Sequence, residues 1–426
     1  MAQTGFDFFF SKKNLTKWRN ELRNSLENEI SDLIGRFPLS LQKPIQGNFR
    51  ALLALEKTAS LEQFAILLNE YFYFSDLNTY IQTSIQSIPK DKKNTPITDI
   101  HVELIETLKA DFGEEDFRFL EWERMKPGSR EWIGYFQGIA KYNLDQAKNF
   151  KRNLTSKDSR MEEITSWKLY KHRIKSPQVT GSLEGKSNVF VIHKTPVKLY
   201  NQLSLARRNL SRIWNEGFEI FNILTEQIQI VRSKGLVSYS HFNEQGISYI
   251  NLWERNYLDT IDDLFHENAH HHLNLILKKM KIFRKMNEDE IYYSPWRKSL
   301  RSIRAILHAC FTFTWGAMLF EQVVKLPNHA EVNLKPEDIN RAKLRFVEEV
   351  INNRFSLLDL KEYMDNEGFT PKGNLLISTL NEINLRQNRI KNEIIKSFPT
   401  KLKANMQKFE DDLFSKRLEF RRNFRE

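Results

Sequence analysis

Cysteine is almost missing from this chain: Cys310 is the single thiol in 426 residues. That excludes an internal disulfide and a cysteine-built zinc site. It fits a reducing compartment, so the cytoplasm is the expected location. Long apolar runs are missing too. None reaches the roughly 18 to 20 residues needed to span a bilayer. The longest, Ala305 to Phe320, is interrupted by His308, Thr312 and Thr314 and suits a buried helix. Met1 to Phe10 carries Asp7 inside its aromatic run and shows no cleavage-site pattern, so neither a secretory leader nor a membrane partner is expected. No internal repeat or low-complexity tract occurs. The net charge is +11, yet no helix-turn-helix, zinc-finger or RNP-like pattern accompanies it, and nucleic acid is not an expected partner. The basic stretch Lys396 to Arg425 interleaves Glu410, Asp411, Asp412 and Glu419, which reads as a solvated helix face.

What is present is the composition of a globular protein, 40% hydrophobic and 28% charged. Its length allows two or three domains. The expected fold class is mainly α: multi-helix domains with a small antiparallel β element beside one helix. Apolar residues at Leu22, Leu26, Ile30, Leu33 and Ile34 keep a helical period over Leu15 to Phe37, and Leu61 to Phe74 and Ile100 to Phe112 look similar. The charged stretch Asn149 to Arg160 suits a surface helix, and Asn188 to Ile192 is a short β-rich run. Ser176-Pro177 and Gly181 to Gly185 mark a boundary. The division is a helical N-terminal domain over 1–175, a site domain over 185–330 and a C-terminal helical region over 331–426. Within the second, Leu203 to Val231 reads as one long helix. Leu236 to Phe242 and Ile247 to Leu252, joined by Asn243-Glu244-Gln245-Gly246, read as a hairpin. Pro336 to Asn353 and Leu375 to Phe398 read as later helices.

The most informative run is His266-Glu267-Asn268-Ala269-His270, an H-E-x-x-H pattern in a helical stretch from Leu258 to Lys281. Positions i and i+4 lie one above the other on a helix, so two imidazoles reach one metal ion while Glu267 handles a proton or a bound water. Asn256 can cap this helix, and Asp259, Asp262 and Asp263 suit its positive end. His271 and His272 point elsewhere by steps of about 100°.

A second helix is predicted from the cap Ser294 and Pro295 to about Val324. On it Arg297, Arg301, Arg304 and His308 would fall within an arc of about 60°. Buried positive charge needs an anionic partner, and Glu288, Asp289 and Glu290 are the bland choice. His308, among Leu307, Ala309, Phe311 and Phe313, is either a core histidine or the third ligand that the His266–His270 pair needs.

These residues resemble the HExxH-type 2-oxoglutarate-dependent, non-haem iron peptide β-hydroxylases that modify ribosomally made peptides. The resemblance rests on Ile247-Ser248-Tyr249-Ile250, on His266 to His270, on Tyr293-Ser294-Pro295-Trp296-Arg297 with Arg301, on Leu307-His308 and on Phe311 to Phe313. It covers residues from about 235 to 325. The family has a proline after the second arginine, where this chain has Ser302. The resemblance implies Fe(II) held by His266, His270 and His308, and 2-oxoglutarate as co-substrate. Its distal carboxylate would be gripped by Arg301 or Arg297, with Arg304 nearer His308, and a precursor peptide would be hydroxylated at a β-carbon.

Two other readings fit the same residues. A zinc peptidase would use Zn(II) on His266 and His270, Glu267 as general base, and Glu288, Glu290 or Glu321 as third ligand. A non-catalytic peptide-binding scaffold would carry the motif as a relic. The arginines speak against the peptidase, and Glu267 speaks for it.

Overall fold

The computed structural model describes residues 4–54 apart from Pro38, scattered helical positions between 58 and 72, residues 161–163, 193–284 apart from Asn243, and 291–424. The expectations for 100–112, 149–160 and 188–192, and the acids Glu288, Asp289 and Glu290, lie outside the described residues.

The chain is mainly helical with small β elements. Contacts gather it into two compact units. One comprises Met1–Leu22, Arg160–Lys171 and Gln178–Glu426; the other comprises Arg23–Ser159 and His172–Pro177. Both the H-E-x-x-H run and the C-terminal helices belong to the first unit, as does the short helix α1 (Gly5–Phe9). Helix α2 (Lys12–Arg36) begins in the first unit. Helix α3 (Leu39–Leu53) belongs to the second, where Phe49 stacks on Phe64 and Arg23 donates to the Leu53 carbonyl.

In the first unit, residues 203–231 are not one helix. Helix α4 (Val197–Ile213) stops at Trp214, whose backbone is extended, and α5 (Asn215–Leu224) starts immediately after it. Gly217 makes the break compact, because a Cβ there would collide with the Trp214 ring. The alternation Gln227-Ile228-Gln229-Ile230-Val231 then takes the chain into strand β2 (Gln227–Val231). That strand pairs in parallel with β1 (Met161–Glu163) on one side and β4 (Ile247–Asn251) on the other. Strand β3 (Tyr239–Ser240) completes the sheet, pairing antiparallel with β4, and the Tyr239 and Tyr249 rings stack 4.5 Å apart. The antiparallel pair expected beside the motif helix is therefore present, but short, and parallel partners extend it. Both β2 and β4 are buried along their whole length, as strands of a covered sheet are.

Helix α6 (Tyr257–Lys279) carries the H-E-x-x-H run. Asn256 accepts a hydrogen bond from the Asp259 N–H at its start, and Lys278 and Lys279 sit in its last turn, where the helix end is negative. The other two histidines of this helix are fully buried. The His271 Nδ1 accepts from the Gly246 N–H and its Nε2 bonds Ser248 Oγ; the His272 Nε2 donates to the Phe9 carbonyl.

The region after it departs from expectation. No helix starts at Ser294. Strands β5 (Ile291–Ser294) and β6 (Ser299–Ser302) form a hairpin, and α7 (Ile303–Lys325) starts only at Ile303, capped by the Ser302 hydroxyl. The aromatic and β-branched run Ile291-Tyr292-Tyr293 favours a strand, and Ser294-Pro295-Trp296-Arg297-Lys298 is its turn, with Lys298 in the left-handed region at φ 51°. Helix α7 is apolar and long enough to cross a membrane by composition, yet most of that stretch is buried inside the protein.

Helices α8 (Pro336–Asp365), α9 (Pro371–Lys396) and α10 (Thr400–Phe424) follow. α8 packs along α7, α9 along α8, and all three contribute side chains to one core with α6 and α7.

Candidate metal centre

His266 and His270 lie one turn apart on α6 with ring centroids 5.0 Å apart. One donor atom from each, with a Glu267 carboxylate oxygen, forms a group whose members are all within 4.8 Å of one another. His308 comes from the second turn of α7. Its ring lies 6.0 Å from the His270 ring, with an interplanar angle of 29°. It stands outside the tight group but adjoins it. Phe313 meets the His266 ring edge-on at 5.1 Å, and Trp296 stacks on Phe313 at 4.6 Å.

The electrostatics keep the imidazoles neutral. Burial lowers the pKa of His266 to about 4 and that of His308 to about 4. Burial also takes His270 well below its usual value, helped by the neighbouring His266 and His308. Neutral imidazoles have free lone pairs, the form a metal binds. The His308 Nε2 is buried and has no hydrogen-bond partner, although a buried polar atom is normally paired. A metal ion is a chemically sensible partner for it, and three nitrogens with a carboxylate nearby suit Fe(II) or Zn(II) alike.

Glu267 is buried, with 1% of its surface exposed, and accepts a hydrogen bond from Ser240 Oγ at 2.9 Å. Burial, with Asp263 and Asp262 nearby, raises its pKa well above the ordinary carboxylate range. Asp263 is pushed up to about 7, first by burial, although Arg255 lies 3.0 Å away and Ser238 donates to it. Asp262, which faces His266 electrostatically, pairs with Arg345 of α8 at 2.9 Å, and Arg345 also reaches Glu349 at 2.8 Å. Burial opposes the Arg345 charge, but the two carboxylates outweigh it and raise its pKa. Gly316 leaves the space that the Glu349 carboxylate fills.

The arginines are not the helical stripe that the sequence suggested. Arg297 is in the hairpin turn, Arg301 is in β6 opposite Tyr292, and only Arg304 shares α7 with His308. The arc shared by Arg297 and Arg301 with His308 lapses with that helix. What remains is electrostatic proximity: Arg297 lowers the pKa of both His266 and His270, and Arg304 lowers that of His308. Among the described residues no carboxylate pairs with Arg297, Arg301 or Arg304; Arg304 lies over the Phe242 ring. Of the peptidase ligand candidates, Glu321 is engaged by Lys325 and Arg386, and it follows His308 on the same helix by about 20 Å.

Sequence reasoning missed Ser240, Arg345 and Glu349. Ser240 sits in the hairpin beside the motif, so its strand position was a usable signal. Arg345 and Glu349 are remote in sequence and carried none. In comparisons with known proteins, the chain matches no family model and no curated protein.

Proposed function

We propose that this chain is an Fe(II)/2-oxoglutarate-dependent hydroxylase acting on β-carbons of a ribosomally made peptide. The observation that carries the reading is a pair of features side by side: neutral histidines with an unpaired buried Nε2, and arginines without carboxylate partners among the described residues. His266, His270 and His308 would hold the metal. Iron with 2-oxoglutarate and dioxygen supplies oxidative decarboxylation and C–H hydroxylation. The planar guanidinium of Arg297 is suited to grip the distal carboxylate of a diacid in a fork of two hydrogen bonds, with Arg301 and Arg304 as the neighbouring choices. Trp296 and Phe313 cover His266 and keep water from that side. Glu267 is buried beside the two histidines and its carboxyl is fixed by the Ser240 hydroxyl.

The purified chain with Fe(II) should form succinate from 2-oxoglutarate under air, and a co-expressed substrate peptide should gain the mass of one oxygen. One observation favours the second reading, a zinc peptidase: Glu267 shares the donor group with His266 and His270. Peptide cleavage with Zn(II) and indifference to 2-oxoglutarate would select it.

A further inference from the structure

We infer that the β5–β6 hairpin is the docking strand for the substrate, an extended acidic peptide that adds to its open edge and runs past the histidines. The inference rests on the oxygenase reading for one thing only, that the substrate is a peptide.

The sheet has two strands and four paired rows, and among the described residues neither outer edge joins a further ladder. An isolated hairpin is marginal by itself, and proteins usually cover or spoil such edges. This one is neither bulged nor interrupted by proline within its strands. The register puts Ile291, Tyr293 and Leu300 on one face and Tyr292, Ser294 and Arg301 on the other. Tyr292 and Ser294 are buried, whereas Ile291 and Leu300 are each 36% exposed. The hairpin therefore keeps an outward apolar face beside open backbone N–H and C=O groups. That combination is what strand addition uses: main-chain bonds give affinity, and alternate side chains find apolar contact.

Charge selects the peptide. From Ile291 to Phe320 the sequence has no carboxylate, while Arg297, Lys298, Arg301 and Arg304 all fall in it. Arg297 is given to the oxo-acid and Arg304 lies over the Phe242 ring, so Lys298 and Arg301, with no carboxylate partner among the described residues, are the hairpin's cations for a glutamate or aspartate of the peptide. The turn also delivers the peptide to the chemistry. Trp296 stacks on Phe313, Phe313 abuts His266, and the charge of Arg297 is felt by both His266 and His270.

The test is a titration of the metal-free full chain, without 2-oxoglutarate, with a fluorescein-labelled peptide of alternating glutamate and valine. Anisotropy should report binding, and the same peptide with lysine for glutamate should bind at least about tenfold more weakly. Lys298→Gln combined with Arg301→Gln should weaken the acidic probe by about tenfold. Two further copies of the probe each carry N-methyl groups on one alternate set of amides. Only one set can face the hairpin, so one copy should lose binding and the other keep it. Hydrogen exchange should slow across 291–302 in the complex. Equal binding by both methylated copies, protection confined to other residues, or no binding of the acidic probe each overturns the proposal. A chain that makes succinate but ignores the probe keeps its chemistry and loses this docking mode. A chain that binds the probe but makes no succinate does the reverse.

Discussion

His270 and His308 lie with their rings 6.0 Å apart, although 37 residues, the β5–β6 hairpin among them, separate them along the chain. Neither ring is held there by a hydrogen bond between the two. The packing of α7 against α6 brings His308 to the pair and leaves its Nε2 without a partner. A side chain in that state is poorly suited to stability and well suited to ligation.

That conflict gives the first prediction. His308→Leu should raise the stability of the metal-free chain by about 1 kcal/mol, because it removes an unsatisfied buried polar atom. The same change should reduce the rise in melting midpoint on adding Fe(II) or Zn(II), because a bound metal stabilises in proportion to its affinity. Melts with and without metal check both signs. A variant with lower metal-free stability and an unchanged metal response would identify His308 as a core residue.

Glu267→Gln separates the two chemistries. A peptidase should lose nearly all activity, since its general base is gone, whereas an oxygenase should be impaired but active. The metal-free protein adds a pH signature. The folded pKa of Glu267 is raised by burial. Its contribution is therefore fully present below its unfolded value near 4.5 and is lost as pH rises through the folded value. Urea unfolding at a series of pH values should show the wild type losing ground to Glu267→Gln as pH rises.

Arg297 should matter to the oxo-acid more than to the metal. Arg297→Gln should weaken 2-oxoglutarate binding to the metal-loaded chain by about 2 kcal/mol, and Arg297→Lys should recover only part, since a point charge does not replace a planar fork. Metal affinity should hold or rise slightly, because the cation that disfavours charge on His266 and His270 has been removed. Calorimetric titration of each ligand reads the two effects separately.

His271 and His272 should make the fold acid-sensitive. Burial lowers their pKa to about 3 and about 4. Groups depressed in this way contribute stability that is present above the unfolded value near 6.5 and lost as pH falls through the folded ones. Between pH 7 and pH 5 each should cost the folded state about 2 kcal/mol. His272→Phe keeps a ring among Phe10, Phe311 and Trp315 and removes one of the two titrations. Its urea midpoint should fall less steeply over the same range, although the Phe9 carbonyl loses its donor.

The pairing of His266 with His270 on one helix face was legible because it depends on one helix and one period. Asn256 at the cap, apolar residues on the core side and histidines at i and i+4 are local statements, and α6 repeats them in space. The arginine stripe was misread for a related reason. The 3.6-residue period was extended backwards through Ser294 and Pro295, which look like a helix start but belong to a strand end and a turn. Tyr292 and Tyr293 held the signal that mattered, and the capping residue was Ser302, eight positions later. The break at Trp214 was hidden because it depends on a ring lying over Gly217, a contact that propensity does not describe. The ties of Asp262 to Arg345 and of His272 to Phe9 were beyond reach, since each joins segments far apart in the chain.

Those two ties limit how the motif can be inherited. The helix bearing His266 and His270 is fastened at one point to the first residues of the chain and at another to α8. A fragment cut to 185–330 would keep every candidate ligand yet leave His272 without its acceptor and Asp262 without its guanidinium. Such a piece should express as a loosely packed, metal-poor protein. Recombination could not carry this histidine cluster into another scaffold as a cassette; the segments bearing Phe9 and Arg345 would have to travel with it.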